Sequence, residues 1–374
     1  MQALGLYLHV PFCRSKCLYC DFCSFPHRPE ADLEAYTEAL CRDLAARAPL
    51  CRDRTVDTVY VGGGTPTVLP PALLTRILNC VHRHYAVARE AEITVECNPV
   101  TGSRPLFDAL IAAGANRLSI GVQSVHEREL RALGRLHRMS EVEATFRDAR
   151  AAGFTNLSVD VMSGIPHQTR ESYLETLDAL CALEPAHISS YGLIVEEGTP
   201  FARMGERLVL PDEEEARALY FLGIERLQAH GYRQYEISNF ARPGFASRHN
   251  LKYWNCEEYL GFGVAAHSDF AGVRFGNGTD VEAYLRGEDI CTESHTPDAA
   301  ERKNEYVMLR MRLCKGISHS DYAARFESDL EADFGNRFAP FIPMGLVTRT
   351  EDGYAFTPDG MYVSNAVLSE VLDF

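Results

Sequence analysis

The chain has 374 residues, of which 46% are hydrophobic and 24% are charged, and these proportions exclude collagen-like, low-complexity and largely disordered proteins. Its 37 basic and 52 acidic residues give a formal charge of −15, which disfavours nucleic acid as a partner and docking on anionic lipid. No apolar run reaches the roughly 18 residues that span a bilayer, and the N-terminal segment lacks the basic start of a secretory signal, so we expect a cytoplasmic protein.

Short apolar runs alternate with amphipathic segments through the first half of the chain. The pattern predicts strands at Leu4–Val10, Thr55–Val61, Glu92–Glu96, Arg117–Gly121, Leu157–Val161 and His187–Leu193. It predicts helices near 31–46, 70–84, 103–113, 139–152 and 170–182. About six strand–helix units indicate a parallel sheet, and they are fewer than the eight of a closed barrel. We therefore expect an α/β fold with a partial (βα)6, TIM-like barrel, and ligands at the C-terminal strand ends.

The second half of the chain has a looser pattern. The acidic run 212–215 predicts the start of a helix of about 18 residues, because acidic side chains suit the positive end of a helix dipole. A Gly-rich, aromatic stretch follows, and the region after 297 predicts helices with a small hairpin near 352. We predict a core at 1–230, a connecting region at 231–296, and a smaller α+β, winged-helix-like domain at 297–374.

Four of the twelve cysteines lie within eleven residues near the N-terminus, at Cys13, Cys17, Cys20 and Cys23. The first three form a CxxxCxxC run just after the first predicted strand. Three thiolates on one tight loop can bind three corners of a cubic iron–sulfur cluster and leave one iron open for another ligand. A structural zinc site normally needs four ligands in two separated pairs. Cys23 could supply a fourth thiolate, but no distant CxxC pair exists, so zinc is the weaker alternative. A thioredoxin-like motif leaves the third cysteine unexplained.

The CxxxCxxC run, with an aromatic Tyr19 before its last cysteine, resembles the signature of the radical S-adenosylmethionine superfamily. This resemblance implies a 4Fe-4S cluster bound by Cys13, Cys17 and Cys20. It also implies S-adenosylmethionine, whose amino and carboxylate groups chelate the open iron. In that superfamily one electron cleaves the sulfonium to methionine and a 5′-deoxyadenosyl radical, within a partial barrel of the kind expected here.

The same resemblance implies a set of cofactor-binding residues at the strand ends. Glycines in the Gly-Gly-Gly-Thr-Pro run at 62–66 let backbone N–H groups approach a ligand, although a plain turn is the alternative. An arginine suits a methionyl carboxylate, and an aspartate suits ribose hydroxyls. Taken singly, each of these side chains is more often an ordinary surface or ion-pair group. The set implied by the resemblance is Tyr7, Tyr19, Gly63, Gly64, Thr65, Glu96, Gln123, Arg135 and Asp160.

The segment 7–13, Tyr-Leu-His-Val-Pro-Phe-Cys, resembles the opening shared by two groups within the superfamily. These are the HemN-type coproporphyrinogen III dehydrogenases and the HemW-type haem chaperones. The dehydrogenase group is characterised by a CxxxCxxCxC run and by an N-terminal extension ahead of it. Here Phe22 takes the place of the last cysteine, Cys23 comes one residue later, and only twelve residues precede Cys13.

His249 to Trp254 form an HNxxYW match, which is associated with haem binding in the HemW family. The resemblance implies that the His249 imidazole is an axial ligand of haem iron, a role that neutral imidazole fills well. The alternative is that His249 caps a loop while Trp254 fills a domain junction. Weaker candidates for haem contacts are Cys23, Cys256 and His267.

We therefore expect a haem chaperone that binds haem, a 4Fe-4S cluster and S-adenosylmethionine and delivers haem to acceptor haemoproteins. The resemblance further implies membrane respiratory proteins as acceptors, peripheral contact with the membrane, and a homodimer. The alternative is an oxidoreductase that decarboxylates coproporphyrinogen III to protoporphyrinogen IX. A radical enzyme acting on another substrate is the third hypothesis.

Overall fold

A computed structural model of the chain describes residues 2–373. Up to residue 192 the strands are β1 (Gln2–Val10), β2 (Phe12–Cys13), β3 (Phe25–Pro26), β4 (Arg54–Gly63), β5 (Val87–Cys97), β6 (Arg117–Gln123), β7 (Asn156–Ser163) and β8 (His187–Gly192). The helices between them are α1 (Glu30–Arg47), α2 (Pro71–His84), α3 (Arg104–Ala112), α4 (Glu127–Ala132), α5 (Met139–Ala152) and α6 (Arg170–Cys181). No helix in the described residues is long and apolar enough to cross a membrane.

The six long strands β1, β4, β5, β6, β7 and β8 lie side by side in chain order and pair in parallel. Their side chains alternate between two faces. On β1, for example, Leu4, Leu6 and Leu8 are fully buried in the apolar core, while Tyr7 and His9 lie on the opposite face. The predicted (βα)6 core is confirmed, and so are all five helices predicted within it.

The sheet extends beyond the six predicted strands at both edges. From residue 200 to 295 the elements are α7 (Pro200–Met204), α8 (Glu213–Ala229), β9 (Arg233–Gln234), β10 (Asn239–Ala241), α9 (Arg248–Trp254), β11 (Tyr259–Phe262), β12 (His267–Phe270), β13 (Val273–Asn277), α10 (Val281–Arg286) and β14 (Cys291–His295). Strand β11 pairs with β1 as a seventh parallel strand, and β12 to β14 continue antiparallel beyond it. The segment expected only to connect two domains therefore contributes to the core sheet.

Helix α9 lies against the first halves of β4 and β5, at the end of the barrel opposite the cysteine loop. The Glu92 carboxylate accepts the backbone N–H groups of Arg248 and His249 at 3.2 and 3.1 Å. The Lys252 ammonium pairs with the Asp57 carboxylate at 2.8 Å. Because acidic groups stabilise a helix N-terminus, Glu92 fixes the start of α9 in this position. Helix α9 thus forms the floor of the barrel.

The C-terminal part of the chain has an apolar core of its own, built around Tyr306, Phe334, Phe338, Tyr354 and Phe356. Its elements are α11 (Ala299–Arg310), β15 (Ile317–Ser318), α12 (His319–Phe326), a π-helical turn at Glu331–Gly335, α13 (Asn336–Phe338), β16 (Val347–Thr350), β17 (Gly353–Phe356), α14 (Pro358–Tyr362) and α15 (Ser364–Val371). The three strands pair antiparallel in the order β15-β17-β16. Helices around a small hairpin sheet agree with the α+β character expected for this part, whereas the domain boundaries stay a prediction.

Candidate functional site

A cavity of about 560 Å³ opens at the C-terminal ends of the parallel strands. Its volume lies in the range of small-molecule sites, and its position is where parallel α/β sheets bind ligands. The sequence-predicted residues that line it are Cys13, Cys17, Tyr19, Cys20, Gly63, Gly64, Thr65, Glu96, Gln123, Arg135 and Asp160. The structure therefore brings together eleven of the thirteen predicted site residues, and only Tyr7 and His249 lie outside the cavity lining.

The cysteine loop is held at the mouth of this cavity by backbone hydrogen bonds. The N–H of Leu18 donates to the carbonyl of Leu133 at 3.0 Å, and the carbonyl of Leu18 accepts the N–H of Phe201 at 3.0 Å. The Cys13, Cys17 and Cys20 thiols are free and partly exposed. Burial raises the pKa of Cys13 and of Cys20. Because bound metal favours the thiolate, cluster binding would offset this effect.

Sulfur ligands on one short loop fit an iron–sulfur cluster better than a single ion. Within residues 2–373 no three His, Cys, Asp or Glu side chains converge closely enough to hold one metal ion. A cubic cluster does not need that convergence, because each thiolate binds a different iron. The Arg135 guanidinium donates to the Cys17 sulfur at 3.6 Å. A cationic group therefore already lies beside a sulfur that is a thiolate when a cluster is bound.

The glycine turn packs directly against the segment that leads into the cysteine loop. The N–H of Gly64 donates to the carbonyl of Val10 at 2.9 Å, and that of Thr65 to the carbonyl of Phe12 at 2.7 Å. A Cβ atom on Gly64 would lie 2.6 Å from the Phe12 carbonyl oxygen. Gly63 has φ of +112°, and a Cβ there would lie 2.6 Å from the His9 ring. Only glycine fits these two positions, and the turn exposes backbone to the cavity.

Two carboxylates face the cavity from β5 and β7, the strands on either side of β6. Glu96 accepts the Tyr60 hydroxyl at 2.8 Å and the Gly63 N–H at 3.2 Å, and burial raises its pKa to about 7. Asp160 accepts the Ser119 hydroxyl at 3.2 Å, and burial raises its pKa as well. Neither carboxylate forms an ion pair within the described residues, so the ion-pair alternative for Glu96 does not apply there. Both groups can accept hydrogen bonds from hydroxyl or ammonium groups of a ligand.

Several buried polar atoms around the cavity have no hydrogen-bond partner. They are Ser24 Oγ, Arg117 Nε, Gln123 Oε1, Arg135 Nε and Asn239 Oδ1. Buried polar groups are nearly always paired, so such a concentration fits a polar ligand. Gln123 also has φ of +70°, a conformation that strains a non-glycine residue and is often found at functional sites. These donors and acceptors suit the amino, carboxylate and ribose groups of S-adenosylmethionine.

Tyr7 lies on the inner face of β1 below the cavity lining. Its hydroxyl is hydrogen-bonded to His9 Nδ1 at 3.0 Å, and its ring stacks on Tyr60 at 6.2 Å. Tyr60 in turn donates to Glu96. Tyr7 thus supports the side chain that holds a cavity carboxylate, and it does not face the cavity itself.

His249 lies in the barrel floor, where it is 1% exposed. Its Nδ1 is hydrogen-bonded to Thr58 Oγ1 and its Nε2 to the Tyr253 hydroxyl, both at 2.8 Å. Burial lowers its pKa to about 3, so the imidazole is neutral. Neutral imidazole is the form that binds iron, but in this arrangement neither ring nitrogen is free to do so. The next residue, Asn250, lines the cavity.

The other residues linked with haem are not gathered around His249. Trp254 packs under the Arg312 guanidinium at 4.3 Å, which agrees with the alternative that it fills a junction with the C-terminal part. Cys256 contributes to the apolar core of that part. His267 is exposed and pairs with Glu293 at 3.0 Å. The backbone carbonyl of Cys23 accepts a hydrogen bond from His9 at 2.9 Å.

Sequence reasoning missed an apolar rim at the cavity mouth, formed by Phe22, Leu136 and Ile194. These side chains are 70%, 64% and 67% exposed, and all three line the cavity opening. Exposed apolar side chains that cluster at a cavity mark a binding surface more often than scattered ones do. It also missed lining residues such as Tyr60 and Arg117, which the period of two along the predicted strands could have identified.

Comparisons with known proteins identify the family of the chain and its fold. The family model described as the Radical SAM superfamily matches residues 7–180, and the HemN C-terminal domain matches residues 298–363. A Bacillus subtilis protein named heme chaperone HemW is 33% identical, over 98% of each chain. A Mus musculus protein named radical S-adenosyl methionine domain-containing protein 1, mitochondrial, is 38% identical, over 98% of this chain and 87% of its own. The structure of coproporphyrinogen III oxidase (HemN) from Escherichia coli has a TM-score of 0.87 at 24% identity, covering 99% of this chain and 90% of that one.

The HemN structure shows the fold, and the relatives named HemW match nearly end to end. The match includes both the barrel and the C-terminal part, so it does not rest on the cysteine motif alone. The chain is therefore a member of the HemW family, within the radical S-adenosylmethionine superfamily.

Proposed function

We propose that this protein is a haem chaperone, which binds haem together with a 4Fe-4S cluster and S-adenosylmethionine and delivers the haem to acceptor haemoproteins. The observation that carries the proposal is the full-length similarity to relatives named heme chaperone HemW. In the proposal Cys13, Cys17 and Cys20 bind the cluster. A cluster and S-adenosylmethionine together supply one-electron chemistry when bound.

The chain's own residues have separate roles in holding these groups. The glycine turn shapes the cavity wall by its close packing on the segment before the cysteine loop. Glu96 and Asp160 offer acceptors for the ammonium and hydroxyl groups of S-adenosylmethionine. Arg135, which already contacts the Cys17 sulfur, is close enough to the cluster loop to orient a carboxylate there. Gln123 completes this end of the cavity with an unpaired amide oxygen.

Haem has two candidate contacts on this chain. The rim of Phe22, Leu136 and Ile194 offers an apolar surface that suits the face of a macrocycle. His249 is the candidate axial ligand, and its binding to iron requires that one of its hydrogen bonds, to Thr58 or to Tyr253, breaks. Displacement of α9 from β4 would free Nδ1, because Tyr253 belongs to the same helix as His249 and would move with it.

A haem titration tests both the function and the ligand. Anaerobically reconstituted protein is titrated with haem, and the Soret absorbance gives affinity and stoichiometry. His187 provides a matched control for His249: it is fully buried, and its nitrogens are hydrogen-bonded to Ser158 and Tyr235, both at 2.8 Å. We expect one haem per chain, weakened in His249→Ala and unchanged in His187→Ala. Equal loss in the two variants would contradict the axial role of His249, and no binding by the unaltered protein would contradict the chaperone function.

The proposal extends to the setting of the protein, on the resemblance to the HemW family. It includes a cytoplasmic location, a homodimer, and transient peripheral contact with membrane respiratory proteins as acceptors. Size-exclusion chromatography with light scattering of the cluster-loaded protein tests the dimer. A single-chain mass under all loading conditions would contradict it.

A further inference from the structure

Arg117 is a buried charged side chain for which the fold supplies no partner. It begins β6, is 2% exposed and lines the cavity. Within the described residues its guanidinium forms neither an ion pair nor a hydrogen bond, and its Nε is a buried atom without a partner. Buried charges are almost always paired, because removal from water is costly without compensation. An unpaired guanidinium facing a cavity therefore indicates a missing anion.

The position of Arg117 separates it from the cluster end of the cavity. Alternate residues of β6 share one face, and Arg117, Ser119, Gly121 and Gln123 all line the cavity. At about 3.3 Å per residue, the Cα of Arg117 lies roughly 20 Å along the strand from that of Gln123. Arg135 contacts the cysteine loop at the cluster end of the cavity. The cavity thus has one arginine at the cluster end and another toward its floor.

The surroundings of Arg117 do not neutralise its charge by contact. Of the carboxylates that line the cavity, Glu96 and Asp160 are hydrogen-bonded to other groups, and Asp21 and Glu196 are exposed to solvent. The nearby imidazoles of His187 and His249 are buried and neutral, since burial lowers the pKa of each. A carboxylate that entered from the cavity would meet no competing anion in contact with the guanidinium.

We propose that Arg117 forms a carboxylate-binding subsite toward the floor of the cavity, which receives a propionate group of the bound tetrapyrrole. The assignment of this carboxylate to a tetrapyrrole rests on the proposed haem-binding function. A guanidinium matches a carboxylate with two parallel hydrogen bonds, a geometry that an ammonium does not provide. The Asn250 amide lines the same cavity and offers an uncharged donor, whereas the amide nitrogen of Asn239 already donates to the Glu236 carboxylate. The methionyl carboxylate of S-adenosylmethionine is the other source with the same chemistry.

The test uses three probes on the anaerobically reconstituted holoprotein: haem, haem dimethyl ester, whose propionates are blocked, and S-adenosylmethionine. Arg117→Met removes the charge and keeps similar length, whereas Arg117→Lys keeps the charge and loses the paired geometry. Arg310→Met is the matched control, because Arg310 is also buried but is paired with Asn255 and Asp321 away from the cavity. Affinity and thermal midpoint are measured for each variant.

We expect Arg117→Met to bind haem about tenfold to hundredfold more weakly and to bind haem and its dimethyl ester alike. Its thermal midpoint should not fall, because no native partner is lost, whereas that of Arg310→Met should fall. Arg117→Lys should fold normally and show an intermediate loss of haem affinity. A loss of S-adenosylmethionine affinity alone would support the carboxylate subsite and assign it to the methionyl group.

Unchanged affinity for both haem and S-adenosylmethionine in the two Arg117 variants would overturn the proposal. A drop in thermal midpoint equal to that of Arg310→Met, without a change in affinity, would assign Arg117 a structural role and overturn it as well. Failure of the proposed chaperone function gives a different result from failure of the Arg117 subsite, because in the first case the unaltered protein itself does not bind haem. In that case the S-adenosylmethionine titration alone decides whether Arg117 binds a carboxylate.

Discussion

Glu96 is expected to destabilise the cluster-free protein at neutral and alkaline pH. Its carboxylate is enclosed on all sides except the cavity, and burial is the main cause that raises its pKa from 4.5 to about 7. An acid whose pKa is higher in the folded state holds its proton more tightly there. Stability is therefore greatest below the unfolded pKa of 4.5 and is lost as the pH rises to about 7.

The size of this effect follows from the shift. At 1.36 kcal/mol per unit, the difference between 4.5 and about 7 corresponds to roughly 3 kcal/mol, an upper bound because water in the cavity screens the charge. Glu96→Gln removes the titration but loses one of the two accepted hydrogen bonds, worth about 1 kcal/mol. We expect the variant to be about as stable as the unaltered protein near pH 5 and more stable by roughly 2 kcal/mol at pH 8.

Urea denaturation of the cluster-free protein at pH 5, 6, 7 and 8, under reducing conditions, measures this difference. Glu197→Gln is the control, because Glu197 is exposed and does not line the cavity, and it should change stability at no pH. A Glu96→Gln variant that is less stable than the unaltered protein at pH 8 would show that Glu96 is not a desolvated carboxylate. The reasoning about the cavity's charge would then be wrong.

Three further substitutions test other parts of the site. Cys17→Ser should abolish the iron–sulfur absorbance after anaerobic reconstitution while Cys23→Ser retains it, and a full cluster in Cys17→Ser would refute the ligand set. Gly64→Ala places a methyl carbon 2.6 Å from a backbone carbonyl oxygen. It should lower the free energy of unfolding, measured with urea, by about 1–3 kcal/mol and weaken S-adenosylmethionine binding, measured by calorimetry. Unaltered values of both would contradict the tight turn. Phe22→Asp at the cavity mouth should weaken haem binding without a change in thermal midpoint, whereas Val209→Asp, equally exposed but outside the cavity, should not; equal affinities would remove the apolar rim from the haem site.

The barrel core could be predicted because its strands are nearly continuous apolar runs that end at strong turn signals. The rule that ligands gather at the C-terminal ends of parallel strands then placed Glu96, Gln123 and Asp160 in one site, and the structure has all three lining the cavity. The seventh parallel strand, β11, could not be predicted in the same way. It has only four residues, Tyr259–Phe262, and no long amphipathic helix of the repeating pattern precedes it.

The barrel floor depends on contacts between residues far apart in the chain. A sequence pattern shows that His249 belongs to a motif, but not that Thr58, nearly two hundred residues earlier, takes one of its ring nitrogens. For Arg117, the period of two along β6 could predict the face it lies on, but not that it is buried there without a partner. Only the closure of the sheet around the cavity buries it without a partner. The apolar rim likewise combines Phe22, Leu136 and Ile194 from three separate loops.

The most direct test of the account is an incubation with coproporphyrinogen III, since a chaperone and a decarboxylase of the same fold differ in whether they form product. Reconstituted protein is incubated anaerobically with reductant, S-adenosylmethionine and coproporphyrinogen III, and porphyrins are quantified by chromatography. We expect no protoporphyrinogen IX from a preparation that binds one haem per chain. Formation of protoporphyrinogen IX over many turnovers would contradict it and would make the protein an oxidative decarboxylase.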